Sequence, residues 1–108
     1  MKTAKLTDFN NGWFLGNFEP SIKKTNFEIG LKTHEKGEFH RDHFHKLSTE
    51  FNLVVEGTMI VNGKQFSEGD IFVLYPYEIS QVEYLTDVKI LVARDGSDPS
   101  DKYEVIVK

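Results

Sequence analysis

The sequence predicts an all-β protein, a sandwich or closed barrel of antiparallel strands. Turn signals recur every few residues, and the short stretches between them are rich in Val, Ile, Phe, Tyr and Thr. No segment has the apolar periodicity of a long helix. With 108 residues the chain is long enough for one compact domain and too short for two ordinary ones. We expect a single domain over residues 1–108, with an N-terminal arm and edge strand at 1–25 and the barrel at 26–108.

The clearest local signal is Asn62-Gly63, because both central residues of a type I′ turn need a positive φ, which Asn and Gly tolerate. This dipeptide predicts a β-hairpin between the runs 58–61 and 64–67. Turn residues at 68–70 and 85–87 interrupt the following strands in the same way, which indicates an antiparallel meander rather than βαβ units. The predicted strands are 13–15, 26–33, 39–45, 50–56, 58–61, 64–67, 71–74, 79–85, 88–93 and 103–107.

Apolar residues occupy both faces of some predicted strands. Residues 71–74 and 90–93 are apolar at every position, so both of their faces should be covered. In the strand 50–56, residues 51, 53 and 55 point one way and residues 50, 52 and 54 the other. One side is expected to line a barrel interior that includes polar groups. The other side would meet a second sheet or a second subunit, and in so small a domain we expect a homodimer.

Composition excludes several partners and chemistries. Thirteen Lys and Arg against 17 Asp and Glu give a net charge of -4, and the basic residues are scattered, so nucleic acid is not expected as a partner. The absence of cysteine excludes disulfides, a thiolate nucleophile and Cys-based metal sites. Residues 1–8 lack the apolar core of a signal peptide, and the longest apolar run covers only 71–75. We expect a soluble, cytoplasmic protein with no membrane partner.

All four histidines lie between positions 34 and 45. His43 and His45 are one residue apart, so on a strand their imidazoles project from one face and can reach one ion together. Glu50 would lie on the opposite face of an unbroken strand, but the polar residues 46–49 supply a turn that directs it back. Two neutral imidazoles and a carboxylate suit Zn, Fe(II), Mn or Ni and leave positions for water or a ligand.

One stretch has the spacing of a known motif. Gly37, His43, His45, Glu50 and Gly57 are separated by five, one, four and six residues. This series resembles, without a gap, the first conserved motif of the cupins, which are small β-barrels of the jelly-roll type. The resemblance extends over residues 28–107 and implies a cupin-type jelly-roll β-barrel of antiparallel strands.

The second cupin motif is similar to this sequence only in part. It starts at Gly69-Asp70, and Pro76 stands where the motif has the proline of its usual Pro-Gly pair. Tyr77 occupies the usual glycine position, and Ser80 the position of the third metal-binding histidine. The sequence therefore lacks one ligand that metal-binding cupins have.

The resemblance implies a role for the residues of motif one. In metal-binding cupins the two histidines and the glutamate hold the ion inside the barrel, together with the histidine of motif two. Carried over, this assigns His43, His45 and Glu50 as ligands and leaves the fourth place to Ser80 or water. A serine hydroxyl is a poor ligand for a transition metal, so affinity should be lower than in a four-ligand relative. The alternative is a vestigial site in which these groups and trapped water satisfy one another by hydrogen bonds.

The remaining candidate residues are assigned to a ligand pocket. Tyr75 and Tyr77 lie near the expected mouth of the barrel, where they shape a pocket or where Tyr77 fills the space of the missing glycine. His40 departs from the ligand parity, and for it and His34 a surface or hydrogen-bonding role is favoured over a ligand role. The predicted pocket residues are Ser80, Tyr75, Tyr77 and His40.

Three functions remain open at this point. The first is binding of a small molecule, a carbohydrate or anionic metabolite, with or without a divalent metal. Residues 12–19 and 101–104 are similar to small cupins found among bacterial polysaccharide and nucleotide-sugar genes. The second is a metal-dependent isomerase, epimerase or oxygenase. The third is an inert structural or regulatory barrel, since one fold hosts many functions.

Overall fold

The computed structural model describes residues 1–105, and the end of the last predicted strand, 106–107, lies outside them. Two short 3₁₀ turns, Leu6–Asp8 and Asn10–Gly12, precede the first strand. In residues 1–105 no helix is long and apolar enough to cross a membrane. The strands are β1 (Trp13–Leu15), β2 (Glu28–His34), β3 (His43–Phe44), β4 (Glu50–Glu56), β5 (Thr58–Val61), β6 (Lys64–Ser67), β7 (Ile71–Leu74), β8 (Val82–Tyr84), β9 (Val88–Arg94) and β10 (Tyr103–Glu104).

The strands form two layers. The larger sheet has the order β1-β2-β9-β4-β7, and the other layer contains β6-β5-β8 and the pair β10-β3. A bridge between His43 and Ser80 joins β3 to the segment before β8. All pairings between the strands are antiparallel. This arrangement confirms the predicted all-β jelly roll.

The strand order corrects the predicted meander. Apart from the β1-β2 pair and the β5-β6 hairpin, strands that are adjacent in a sheet are distant in sequence. From β2 onward the chain alternates between the two layers, except at that hairpin. This alternation buries the inner faces of both layers against each other, which a flat meander would not do.

Local turn chemistry sets several strand bounds. Asn62 and Gly63 have φ values of 50° and 78°, as the predicted type I′ turn requires. The predicted strand 79–85 is shorter than expected, because the side chain of Asn62 bonds to the Ile79 carbonyl and the Gln81 N–H. These bonds take backbone groups that a longer strand would pair. The predicted strand 39–45 is also short, and only His43–Phe44 is strand.

The hydrophobic core lies between the layers, toward the end of the barrel that contains the β5-β6 hairpin. Val54 and Met59 are fully buried there, and Tyr84 is part of the same cluster. The inner face of the large sheet changes character along its strands. On β4, Val54 is in the core, whereas Asn52 and Glu50 are buried polar residues. The polar end of this inner face is where the candidate site lies.

The outer face of the large sheet is apolar. Strand register aligns two rows across β2, β9, β4 and β7. Phe51 is 44% exposed and Ile71 is 66% exposed, so the described residues do not bury this face completely, and the expectation that strand 71–74 is covered on both sides is not met within one chain. The rows are Ile29, Ala93, Phe51 and Val73, and Leu31, Leu91, Leu53 and Ile71.

Candidate functional site

A cavity of about 670 Å³ lies between the two layers. The N-terminal arm contributes to its wall, because Leu6, Phe9 and Trp13 line it together with the barrel strands. Its polar lining includes three of the four histidines, two glutamates and three basic residues. The histidines and glutamates are His34, His40, His43, Glu38 and Glu50.

The structure brings the predicted ligand set into one neighbourhood. Nδ1 of His45 lies 4.0 Å from Oε2 of Glu50, and the rings of His43 and His45 are 5.5 Å apart and perpendicular. His45 and Glu50 are buried, and His43 lines the cavity. The ligand atoms of these three residues do not, however, all lie within 4.8 Å of one another in the described chain.

Asp101 fixes the turn that returns the chain from β3 to β4. Its buried carboxylate accepts backbone N–H bonds from Lys46, Leu47 and Ser48 at 2.8–3.3 Å, and a further bond from the Ser48 hydroxyl. Burial alone would raise the pKa of Asp101, but these donors lower it below its usual value. The turn predicted at 46–49 therefore depends on the carboxylate of a residue that lies 53–55 positions further along the chain.

Arg94 is the direct partner of Glu50. Its Nε and Nη2 each lie 3.0 Å from Oε2 of Glu50, and its Nη1 lies 3.1 Å from Oε2 of Glu28. Both glutamates are buried, so the guanidinium compensates two buried carboxylates. The Trp13 ring covers the guanidinium carbon at 4.9 Å. The predicted strand 88–93 ended before Arg94, although its parity with Val92 in β9 indicates an inward side chain.

The two predicted imidazole ligands are neutral near pH 7. Burial lowers the pKa of His45 to about 4, and the Arg94 charge adds to the effect. Burial also lowers the pKa of His43. Nε2 of His45 is buried and has no hydrogen-bond partner in residues 1–105.

His43, His45 and Glu50 therefore offer a metal ion a mixed set of donors. Neutral imidazoles, one with an unpartnered nitrogen, suit a metal. The carboxylate does not, because the Arg94 guanidinium already binds Oε2 of Glu50 and would repel a second cation. As it stands the set does not fit a three-ligand metal site. The role of His43, His45 and Glu50 as ligands stays a prediction.

Ser80 and the two tyrosines occupy different environments. Ser80 is buried and lines the cavity, and its backbone pairs with that of His43. Tyr75 and Tyr77 are 62% and 65% exposed, and neither lines the cavity. Tyr77 donates its N–H to the His45 carbonyl at 2.6 Å and stacks on Phe44, which holds it at the surface.

Tyr77 has a left-handed backbone. Its φ is 68°, in the region where glycine is usual and a tyrosine is uncommon. Of the two sequence interpretations, a pocket wall and a space filler, the exposed position does not support the pocket wall.

A second polar cluster on the cavity wall was missed as a set by sequence reasoning. Nδ1 of His34 lies 2.6 Å from Oε2 of Glu38, and Nε2 of His40 bonds to the same oxygen. The Tyr84 ring stacks on His34 with centroids 4.5 Å apart. Both histidines are hydrogen-bonded to Glu38, while the choice between this role and a ligand role stays a prediction. The sequence carried two signals for this set. One is the strand parity of His34, and the other is the glycine at 37, which forms a turn with a φ of 75° in the structure.

Electrostatics in this second cluster favour an ionised Glu38 carboxylate. Burial alone would raise the pKa of Glu38, but hydrogen bonds from His40 and His34 bring it to about 2. Burial lowers the pKa of His34, against the opposite effect of Glu38. In the described part of the chain, His34, Glu38 and His40 form the one group of three such side chains whose ligand atoms all lie within 4.8 Å.

Comparisons with known proteins identify the fold. No protein-family model matches the sequence, and no curated protein is similar to it in sequence. Many solved structures are similar in fold, among them those of the following three proteins. An uncharacterized conserved protein with a double-stranded β-helix domain from Klebsiella pneumoniae has a TM-score of 0.67 and 12% identity, over 78% of this chain and 74% of that one.

The other two similar structures are those of enzymes. A DMSP lyase from Ruegeria pomeroyi has a TM-score of 0.71 and 13% identity, over 86% of this chain and 49% of that one. A sugar phosphate isomerase of the cupin superfamily from Silicibacter pomeroyi has a TM-score of 0.62 and 18% identity, over 78% of this chain and 59% of that one. The chain thus has the cupin fold, a double-stranded β-helix, as the sequence resemblance predicted.

Proposed function

We propose that the protein binds a small polyhydroxylated molecule of the carbohydrate class in the barrel cavity. The observation that carries the proposal is one cavity of about 670 Å³ whose wall mixes acceptors and donors from both layers. This volume is within the usual range of ligand pockets. Each sugar hydroxyl both donates and accepts, so a mixed lining suits it better than a lining of one kind.

The lining supplies each kind of group. Glu38 and Glu50 are acceptors, Lys32 and Lys102 are donors, and neutral imidazoles do either. An apolar floor that includes Phe72 and Leu74 excludes water on one side. The combination resembles a site where a few polar groups orient a ligand against apolar walls.

Charge favours a neutral or weakly anionic ligand over a strongly anionic one. All three guanidinium nitrogens of Arg94 already lie 3.0–3.1 Å from carboxylate oxygens, so this residue does not offer a free fork to an incoming anion. Lys32 donates to the Asn11 carbonyl at 2.5 Å and lies over the Trp13 ring. The similarity in fold to a sugar phosphate isomerase agrees with a carbohydrate ligand.

Calorimetric titration and thermal unfolding with monosaccharides, sugar acids and nucleotide sugars test the proposal. A ligand that binds the native state raises the unfolding temperature. We expect Ser80→Ala and Lys102→Met to weaken the best ligand about tenfold, roughly the worth of one hydrogen bond with a charged or buried partner. Lys89→Met, on the same barrel but outside the cavity lining, should leave binding unchanged. Failure of every compound to bind, or equal binding by all variants, would contradict the proposal.

A metal-dependent isomerase, epimerase or oxygenase is a second candidate. The presence of three histidines and two carboxylates in one cavity favours it, because such groups move protons or hold a metal. Incubation of a bound sugar in D₂O, followed by NMR, would reveal deuterium incorporation by an isomerase or epimerase. Binding of a sugar without turnover would support the small-molecule-binding protein. Absence of both binding and turnover would support the third hypothesis, the inert structural or regulatory barrel.

We also propose a homodimer through the apolar outer face of the large sheet. Phe51 and Ile71 are exposed on this face, and an isologous contact would cover the same rows on both copies. Sedimentation should show a dimer that Phe51→Lys converts to a monomer. Phe39→Lys is the control, since Phe39 is 81% exposed but lies outside the sheet. A wild-type monomer at all concentrations would exclude the dimer.

A further inference from the structure

Three side chains on the cavity wall converge on one point. Nδ1 of His34, Oε2 of Glu38 and Nε2 of His40 lie within 4.8 Å of one another, and the first two atoms are 2.6 Å apart. Ligand atoms bound at about 2.0–2.2 Å to a common ion are separated by roughly 3 Å. An ion would replace these hydrogen bonds after a small outward shift of the two rings, and each ring proton that now faces Glu38 would move to the other ring nitrogen or be released to solvent.

Neighbouring groups hold these ligand atoms in place. The Glu35 N–H donates to Oε1 of Glu38 at 3.3 Å, which leaves Oε2 directed at the imidazoles. Tyr84 stacks on the His34 ring and meets the His40 ring edge to face with centroids 5.6 Å apart. Partners of this kind orient the side chains that bind a metal and tune their affinity for it.

Among the described residues, the cluster of His34, Glu38 and His40 lacks an arginine partner like the one that Glu50 has at the cupin-like motif. Glu50 is held by the Arg94 guanidinium, whereas in the described residues the side-chain partners of Glu38 are two imidazoles and include no lysine or arginine. His34, Glu38 and His40 also line the cavity, so a bound ion would keep coordination positions open to it. Two imidazoles and one carboxylate are a set that binds Fe(II), Zn and other first-row cations.

We propose that His34, Glu38 and His40 bind a divalent first-row metal ion on the cavity wall, at a place distinct from the motif-one residues. The proposal does not depend on the carbohydrate ligand, because the ion alone is the probe. A protein that binds no sugar could still bind the metal here.

Equilibrium titration of metal-free protein with Zn²⁺ tests the proposal, and Co²⁺ serves as a spectroscopic probe of coordination. We expect one Zn²⁺ per chain and at least tenfold weaker binding by Glu38→Gln and by His40→Gln. The visible absorption of bound Co²⁺ should fall in both variants. Glu35→Gln removes the same charge from the same turn without removing a ligand, and we expect its affinity to stay within about twofold of wild type.

His43→Gln separates this site from the motif-one residues. If the proposal is right, His43→Gln binds Zn²⁺ like the wild type. Loss of binding in His43→Gln with full binding in Glu38→Gln would place the ion at motif one and overturn the proposal. Absence of millimolar or tighter Zn²⁺ binding by the wild type would overturn it as well. Thermal unfolding of each variant verifies folding, and His40, which is partly exposed, gives a second test if Glu38→Gln does not fold.

Discussion

Nε of Arg94 donates to Oε2 of Glu50 at 3.0 Å and Nη2 lies 3.0 Å from the same oxygen, although the two residues lie 44 positions apart. Glu50 is the glutamate of the cupin-like motif, and in this chain its partner is a guanidinium. The same side chain also binds Glu28 at 3.1 Å. A basic residue on β9 thus pairs with two buried carboxylates at the polar end of the barrel.

Replacement of Arg94 by methionine should strongly destabilise the protein. The change leaves Glu28 and Glu50 buried without a cation, and removal of one partner of a buried pair costs about 3 kcal/mol or more. Urea unfolding measures the loss. Lys89→Met, on the same strand, removes an exposed pair with Glu56 at 3.9 Å and should change stability by about 0.5 kcal/mol or less. Equal losses in the two variants would show that the buried network is not what stabilises this end.

Asp101→Asn should loosen the turn between β3 and β4 in a pH-dependent manner. Hydrogen bonds to a charged group contribute about 2 kcal/mol, which we expect to be lost at pH 7. The folded pKa of Asp101 lies below its unfolded value, so its stabilisation is present above the unfolded pKa, about 4, and is lost as pH falls through the folded pKa.

The stability difference between wild type and Asp101→Asn should therefore shrink below about pH 4. Unfolding by urea at several pH values measures it. Asp98→Asn is the control in the same loop, because among residues 1–105 the Asp98 carboxylate accepts only local bonds from Ser100. A difference that grows on acidification would be inconsistent with the buried carboxylate as the cause.

His45 should make the protein less stable at mildly acidic pH. Its folded pKa, about 4, lies below the ordinary value of 6.5, so the unfolded state binds the proton first. The contribution of His45 is thus present above pH 6.5 and is lost as pH falls from about 6.5 to about 4. In His45→Leu this part of the pH dependence should disappear. The free energy of unfolding at pH 7 should change by about 1 kcal/mol or less, since Nε2 of His45 has no hydrogen-bond partner to lose among residues 1–105.

NMR titration of the His45 ring protons gives a direct test, and the midpoint should lie near pH 4. A midpoint near pH 6.5, or a steeper acid dependence in His45→Leu than in the wild type, would contradict the burial argument.

Gly57→Ala should be much more destabilising than Gly63→Ala. Both glycines have positive φ, 91° and 78°, so an alanine strains the backbone at either place. A Cβ at Gly57 would also lie 2.1 Å from the Asp87 carbonyl oxygen, whereas one at Gly63 meets nothing within 4 Å in the described part of the chain. We expect Gly57→Ala to lose at least about 2 kcal/mol more in urea unfolding. Similar losses would mean that backbone strain alone explains this motif glycine.

Short-range patterns predicted much of the barrel. The strands 50–56, 58–61, 64–67 and 71–74 match their predicted bounds, because each is a local run of strand-forming residues closed by a turn signal. The motif spacing also predicted the cupin fold. The layer order was not predictable from turns, since it depends on which strands bury their faces against each other.

What the sequence alone determined about this protein is local: strand periodicity, the Asn62-Gly63 turn and the spacing from Gly37 to Gly57. Tertiary structure decided which charged groups meet. Arg94 reaches Glu50 across 44 positions and Asp101 reaches Ser48 across 53, and the fold places Glu38 between two histidines on the cavity wall. Periodicity tells which face of a strand a side chain occupies, but the partner across the barrel is set by packing of the two layers, which no local pattern encodes.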